Sequence, residues 1–146
     1  MSCYTNREHS WIDFNERVLN EAGNPKVPLA ERLTFASIYQ SNLDEFFMVR
    51  VGTLMVQMSS TEVVRENKTG MTSREQVEAI LNKVKKLEIK KAVIYENLMK
   101  ELENHNLNLV NFNKLTESDA KALESFFDAD IAPYLSPIIV GKQQPF

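Results

Sequence analysis

Apolar residues in the first hundred positions recur at three- and four-residue steps, the spacing that lines one face of an α-helix. Trp11, Phe14, Val18 and Leu19 predict a helix from about Trp11 to Ala22. Ser10 is placed to cap it, and Asp13 suits its positive end. Gly23 and Asn24 stop it, and Pro25 and Pro28 bar its continuation. A second helix is expected from about Leu29 to Met58, with the stripe Leu29, Leu33, Ala36, Leu43, Phe47, Leu54 and Met58. Phe35, Ile38, Tyr39, Phe46, Val49 and Val51 widen that stripe, which predicts a central helix packed on most sides. Residues 59–72 are polar, include Gly70, and read as a surface connection.

A third helix is expected after Thr72 and Ser73, with Ser73 and Gln76 as a capping box. Val77, Ile80, Val84, Leu87, Ile94, Leu98 and Leu102 follow a nearly heptad seam to about Glu103, suited to packing along another long helix. The pattern breaks at His105–Asn106. Leu107, Leu109, Val110 and Phe112 then read as a short strand. Thr116 with Asp119 opens a fourth helix carrying Ala122, Leu123, Phe126 and Phe127. Ser136–Val140 reads as extended. The predicted fold class is mainly α: an antiparallel helical bundle with a long helical hairpin over residues 1–105, followed over 106–146 by the first α/β elements of an incomplete second domain.

Composition narrows the functional classes. The 146 residues are 43% hydrophobic and 25% charged, with a formal net charge of −3. A nucleic-acid surface is normally basic, so no nucleic-acid partner is expected. The single cysteine, Cys3, cannot form an internal disulfide and is read as inert, which suits a reducing compartment. No apolar run approaches bilayer-spanning length. The opening residues carry no apolar targeting stretch, so a cytoplasmic location is expected.

The candidate chemistry is sparse. The sequence has no Gly-rich phosphate loop and no CxxC pair. Its two histidines, His9 and His105, lie far apart and are read as surface or capping residues. No catalytic residue and no metal ligand is assigned. The most unusual segment is Ser41–Arg50, inside the apolar second helix. Asn42, Phe46 and Arg50 are four apart and share one stripe: an amide fork, an aromatic face and a fixed cation. Such a set could hold a nucleotide base. It could equally be packing, with Asn42 at a kink and Arg50 paired with an acid. Lys83, Lys86 and Lys90 fall on one face of the third helix. That face could attract a polyanion, or be a solvated surface balanced by Glu78, Glu88 and Glu96. The charged residues Arg7, Glu8, Glu16 and Arg17 and the polar Asn15, near Trp11 and Phe14, could meet a partner domain or form ordinary surface pairs.

These segments resemble the first domain of the long bacterial polyphosphate kinases. Asn6–Leu19 is similar to that family's N-R-E-L-S-W-L-x-F-N-x-R-V-L pattern, with His9 where the family has Leu. Pro28–Phe35 resembles P-L-x-E-R-L-x-F. Ser41–Phe47 followed by Val49-Arg50-Val51 resembles S-N-L-D-E-F-F-x-V-R-V. Beyond Ser59 the likeness is looser. It rests on the long helix pair and on Ile131-Ala132-Pro133 and Ser136-Pro137-Ile138. The resemblance implies an enzyme that reversibly transfers the terminal phosphate of ATP to inorganic polyphosphate through a phosphohistidine, with Mg2+ assisting. It places the phosphorylated histidine and the metal ligands in later domains, with no counterpart here, so the chain alone is expected to be inactive. It assigns ATP contact to Asn42. The implied partners are ATP, polyphosphate, the later domains and further copies of the full-length enzyme. Membrane association of the longer protein stays open. The alternative is a non-enzymatic helical module for oligomerisation or polyphosphate binding.

Overall fold

The computed structural model describes residues 4–61 and 63–138. Cys3 and the end of the expected extended run, Ile139 and Val140, lie outside them. The architecture is mainly helical, and no strand forms among the described residues. Two compact units divide between Asn108 and Leu109.

In the first unit, α1 spans Arg7–Ala22, one turn longer at its start than the apolar stripe indicates. Asn6, not Ser10, is the N-cap: its Oδ1 accepts the N–H groups of Glu8 at 2.9 Å and His9 at 3.3 Å. Asn6 is buried, and its Nδ2 donates to Gln76 Oε1 at 3.0 Å, which ties the start of α1 to α4 (Ser73–Glu103). Gly23 ends α1 where a side chain would crowd Ile94: a Cβ there would lie 3.2 Å from Ile94 Cδ1.

The expected second helix runs over the predicted range but is interrupted. α2 covers Leu29–Phe46, a π-turn covers Phe47–Val51, and α3 covers Gly52–Met58. The reason lies in the spacing of the core residues. Tyr39, Leu43 and Phe46 are buried on one face, and Val51 and Leu54 continue it. Five residues separate Phe46 from Val51. A regular α-helix would turn Val51 about 140° away from Phe46. The π-turn absorbs one extra residue, so both faces stay aligned. The helix is therefore packed on one side, not on most sides. Ile38, Met48, Val49, Met55 and Val56 are exposed.

α4 begins one residue earlier in its capping than expected. Thr72 and Glu75 form the capping box, in place of Ser73 and Gln76. Its seam matches the prediction: Val77, Ile80, Val84, Leu87 and Leu98 are buried, and Ile94 packs on the core. The connection before it is ordered by Glu66, whose carboxylate accepts the backbone N–H groups of Lys68 and Thr69. Gly70 takes the positive φ of 71° that this turn requires.

Contacts along the helices define a three-rod antiparallel bundle. Trp11 meets Phe46 and Ala22 meets Arg32, so α2 runs against α1. Asp13 meets Lys83 and Glu16 meets Lys90, so α4 runs with α1. Glu101 meets Arg32 and Gln40 meets Lys91, completing the hairpin of α2 and α4. Arg32 is buried. Its Nε donates to the Ala22 carbonyl at 3.1 Å, satisfying the end of α1.

α4 ends at Glu103, and the turn after it closes at Asn106, which adopts φ 60°, while the Leu107 N–H bonds to the Leu102 carbonyl. The expected strand at Leu107–Phe112 does not form; its residues run without a ladder into a 3-10 turn at Phe112–Lys114. A strand needs a neighbour to pair its backbone, and none is present among the described residues. In this second unit α5 spans Glu117–Phe126, with Thr116 capping it as expected. A π-turn and a 3-10 turn follow, through Tyr134.

Candidate functional site

The three residues four apart in the second helix have three different environments. Asn42 is half-buried on α2 and faces α1. Its Nδ2 donates to Asn15 Oδ1 at 3.0 Å, and Asn15 Nδ2 donates to the Tyr39 carbonyl at 3.1 Å. Asn15 is only 1% exposed. The two amides form a relay that holds Asn42 in one orientation. Among the described residues, Asn42 Oδ1 accepts no hydrogen bond, and Nδ2 keeps a second N–H. The half-buried amide thus keeps one acceptor and one donor uncommitted among the described residues.

Phe46 is not available as a stacking surface for a ligand. It is 2% exposed and lies against Trp11 with ring centroids 4.3 Å apart and planes 8° apart. Phe47 closes the stack edge-on at 6.1 Å. The expectation that Phe46 presents an aromatic face gives way to a core role, because α1 has already covered it.

Arg50 does pair with an acid, though not with Asp44 or Glu45 of its own helix. Its Nη1 meets Glu8 Oε2 at 3.2 Å, and its guanidinium lies 5.8 Å from the centre of the Trp11 ring. Glu8 is 5% exposed and also receives Arg7. Arg7, Glu8 and Arg50 line a cleft of about 590 Å³ with Thr53, Gln57 and Lys68. Asn42 does not line it.

The lysine face is largely engaged by neighbouring helices. Lys83 pairs with Asp13 and reaches the His9 carbonyl, Lys90 pairs with Glu16 at 2.8 Å, and Lys91 meets Glu88 and Gln40. The acids that meet this face come from α1 and not from α4 as expected: Glu88 pairs with Lys91 and Glu96 with Lys100, and among the described residues none of Glu78, Glu88 and Glu96 pairs with Lys83, Lys86 or Lys90. His9 buries its Nε2 with no hydrogen-bond partner among the described residues, and His105 is exposed. Among those residues, no group of three or more His, Cys, Asp or Glu side chains could hold a metal ion. No helix among them is long and apolar enough to cross a membrane.

Asn15 and Glu8 carry much of this geometry; the sequence offers both as a partner-domain contact or as ordinary surface pairs, and the structure instead buries both within the bundle. Their signal was positional. Asn15 lies three residues from Ile12 and four from Leu19 on the buried face of α1.

The comparisons with known proteins agree with this layout. The profile of the family described as "Polyphosphate kinase N-terminal domain" matches residues 4–110. The chain is 42% identical to the polyphosphate kinase of Bacillus cereus over 144 residues, covering 98% of this chain and 20% of the relative. It is 44% identical to that of Staphylococcus haemolyticus over 143 residues, again 98% and 20%. The crystal structure of polyphosphate kinase from Porphyromonas gingivalis superposes with a TM-score of 0.63 at 27% identity, over 93% of this chain and 20% of that one. The chain thus spans about a fifth of the length of these relatives. Its three-rod bundle, its motif-bearing second helix and these alignments lead to one assignment: the chain belongs to the polyphosphate kinase N-terminal domain family.

Proposed function

We propose that this module is the ATP-contacting portion of a polyphosphate kinase, an enzyme that reversibly transfers the terminal phosphate of ATP to inorganic polyphosphate. The observation that carries the reading is the oriented amide of Asn42. An acceptor beside a donor complements the amino group and ring nitrogen of an adenine edge. The Asn15 relay fixes that edge before a ligand arrives, which lowers the ordering cost of binding. Residues 1–105 would form the helical wall and 106–146 the start of the next domain. Phosphoryl transfer depends on positioning and charge neutralisation, so a wall gripping the base can align a phosphate with groups held elsewhere.

Under this reading the chain alone has no kinase activity. The described residues do not form a magnesium site, so no step is assigned to Mg2+ here. Polyphosphate, the remaining domains and further copies of a cytoplasmic full-length enzyme are its partners. The test is Asn42→Ala in the full-length enzyme. The apparent KM for ATP rises by about tenfold, as expected for losing a buried polar contact, while that for polyphosphate is unchanged. Equal changes in both would remove Asn42 from the nucleotide site. Autophosphorylation of the 146-residue chain would refute its inactivity.

A further inference from the structure

The geometry points to a second site, an oxyanion-binding cleft at the start of α1 that takes phosphate or the phosphoryl groups of a polyphosphate. At its centre one carboxylate holds two guanidiniums. Glu8 Oε1 receives Arg7 Nε at 3.0 Å and Nη2 at 2.9 Å, and Glu8 Oε2 receives Arg50 Nη1 at 3.2 Å. The Glu8 side chain is almost fully buried, so it cannot turn away to water. Trp11 backs the Arg50 guanidinium. Glu8 and Trp11 thus hold the Arg50 guanidinium from two sides, while the exposed Arg7 is held by Glu8.

The pair keeps unspent capacity. Among the described residues, Arg7 Nη1 and Arg50 Nε and Nη2 make no hydrogen bond, and both side chains line the cleft. Two guanidiniums against one carboxylate leave one net positive charge. Across the cleft stand Lys68 and Glu66. The Thr69 hydroxyl, donating to Glu66, holds that carboxyl below its usual range, so it stays anionic and offsets the lysine. The excess therefore rests on the two arginines. At about 590 Å³ the cleft has the size of a small-ligand site. Its donors come from two separate elements, α1 and the π-turn. A phosphoryl group presents three or more oxygens on different sides and carries more charge than a carboxylate, so it can accept from both guanidiniums and still meet further donors of the cleft. The site stands apart from the nucleotide reading, since Asn42 does not line it.

The test is titration of the 146-residue chain at low salt with inorganic phosphate in one arm and tripolyphosphate in the other. Arginine Nε–H NMR signals and the fluorescence of Trp11 are followed. Both anions are expected to move the Arg7 and Arg50 signals. Tighter binding of tripolyphosphate assigns the site to polyphosphate, and equal binding assigns it to single phosphates. Arg50→Gln weakens binding about tenfold, the loss of a charge-assisted hydrogen bond. Arg7 is exposed and Glu8 stays paired without it, so Arg7→Gln gives the same loss in a fold that circular dichroism should find unchanged. Lys86→Gln and Asn42→Ala leave binding intact. Unmoved arginine signals, parental affinity in Arg7→Gln, or a loss transferred to Lys86→Gln would each overturn the site.

Discussion

Trp11 of α1 and Phe46 of α2 lie face to face, 4.3 Å between ring centres and within 8° of parallel. The contact joins the motif blocks of two helices at the level of the π-turn. It also makes the only tryptophan in the chain a reporter of that junction. Phe46→Ala is expected to destabilise the chain by about 3–5 kcal/mol, the range for emptying a buried aromatic site. Urea titration followed by Trp11 emission checks both the loss and its location. A cost under about 1 kcal/mol would mean the stack is not a structural contact.

Most of this bundle is readable from spacing alone, because helix–helix packing writes itself as three- and four-residue periodicity. The α4 seam is the clearest case, with Val77, Ile80, Val84, Leu87 and Leu98 all buried. The misses have physical causes. Asn6 outcompeted Ser10 as a cap because its other amide group is held by Gln76, a long-range contact invisible locally. The π-turn hides because apolar residues occur on both faces of Phe47–Val56, so periodicity could not tell which face was core. Leu107–Phe112 has strand composition but no neighbour. At the site, Asn42 stands out as an amide inside an apolar helix, while its partner Asn15 reads as a partner-domain contact or a surface residue and not as a buried amide. Polar pairs buried between helices carry no pattern of their own.

The Asn15–Asn42 relay should be energetically coupled. Removing Asn15 leaves the Asn42 amide without its partner, a loss of about 1–3 kcal/mol for a buried polar group. A double-mutant cycle of Asn15→Ala and Asn42→Ala in urea denaturation is expected to give a coupling of about 0.5–3 kcal/mol. In the full-length enzyme, Asn15→Ala should raise the KM for ATP with little change in kcat, since it acts through the orientation of Asn42. Additive effects on stability would show that the hydrogen bond contributes nothing measurable.

The π-turn makes a length prediction. It accommodates one extra residue while keeping Phe46 and Val51 on one face, so deleting one residue inside it converts the segment to regular α-helix with the core register intact. Met48 is the residue to delete, being 74% exposed. The Met48 deletion should fold, with its stability within about 2 kcal/mol of the parent. Deleting Gln40 instead rotates every buried residue after it by about 100° and should abolish cooperative unfolding. Thermal melts of the two deletions, read by circular dichroism, decide it. If both fold equally well, the register argument fails.

Tyr39 provides the pH test. It is fully buried, and its hydroxyl has no hydrogen-bond partner among the described residues. Burial, and then the negative charges of Glu88 and Glu16, push the phenol from its ordinary range up to about 12. The fold therefore favours the protonated, neutral form. Its contribution is fully present below the unfolded tyrosine pKa near 10 and is lost as pH rises towards about 12, where the unfolded chain has released a proton that the folded chain retains. Other ionisable groups of a protein also change charge at alkaline pH, so the loss of stability in the parent alone is not diagnostic. The difference between the parent and Tyr39→Phe is. At neutral pH the substitution removes a hydroxyl without a partner and should cost less than about 1 kcal/mol, or stabilise. Above pH 10 the phenylalanine variant has no phenol to ionise, so its stability should fall less steeply than the parent's. Urea midpoints measured from neutral pH to pH 11 give the comparison. Parallel curves would mean that Tyr39 titrates alike in both states. A cost above about 2 kcal/mol at neutral pH would mean the hydroxyl makes a hydrogen bond that stabilises the bundle.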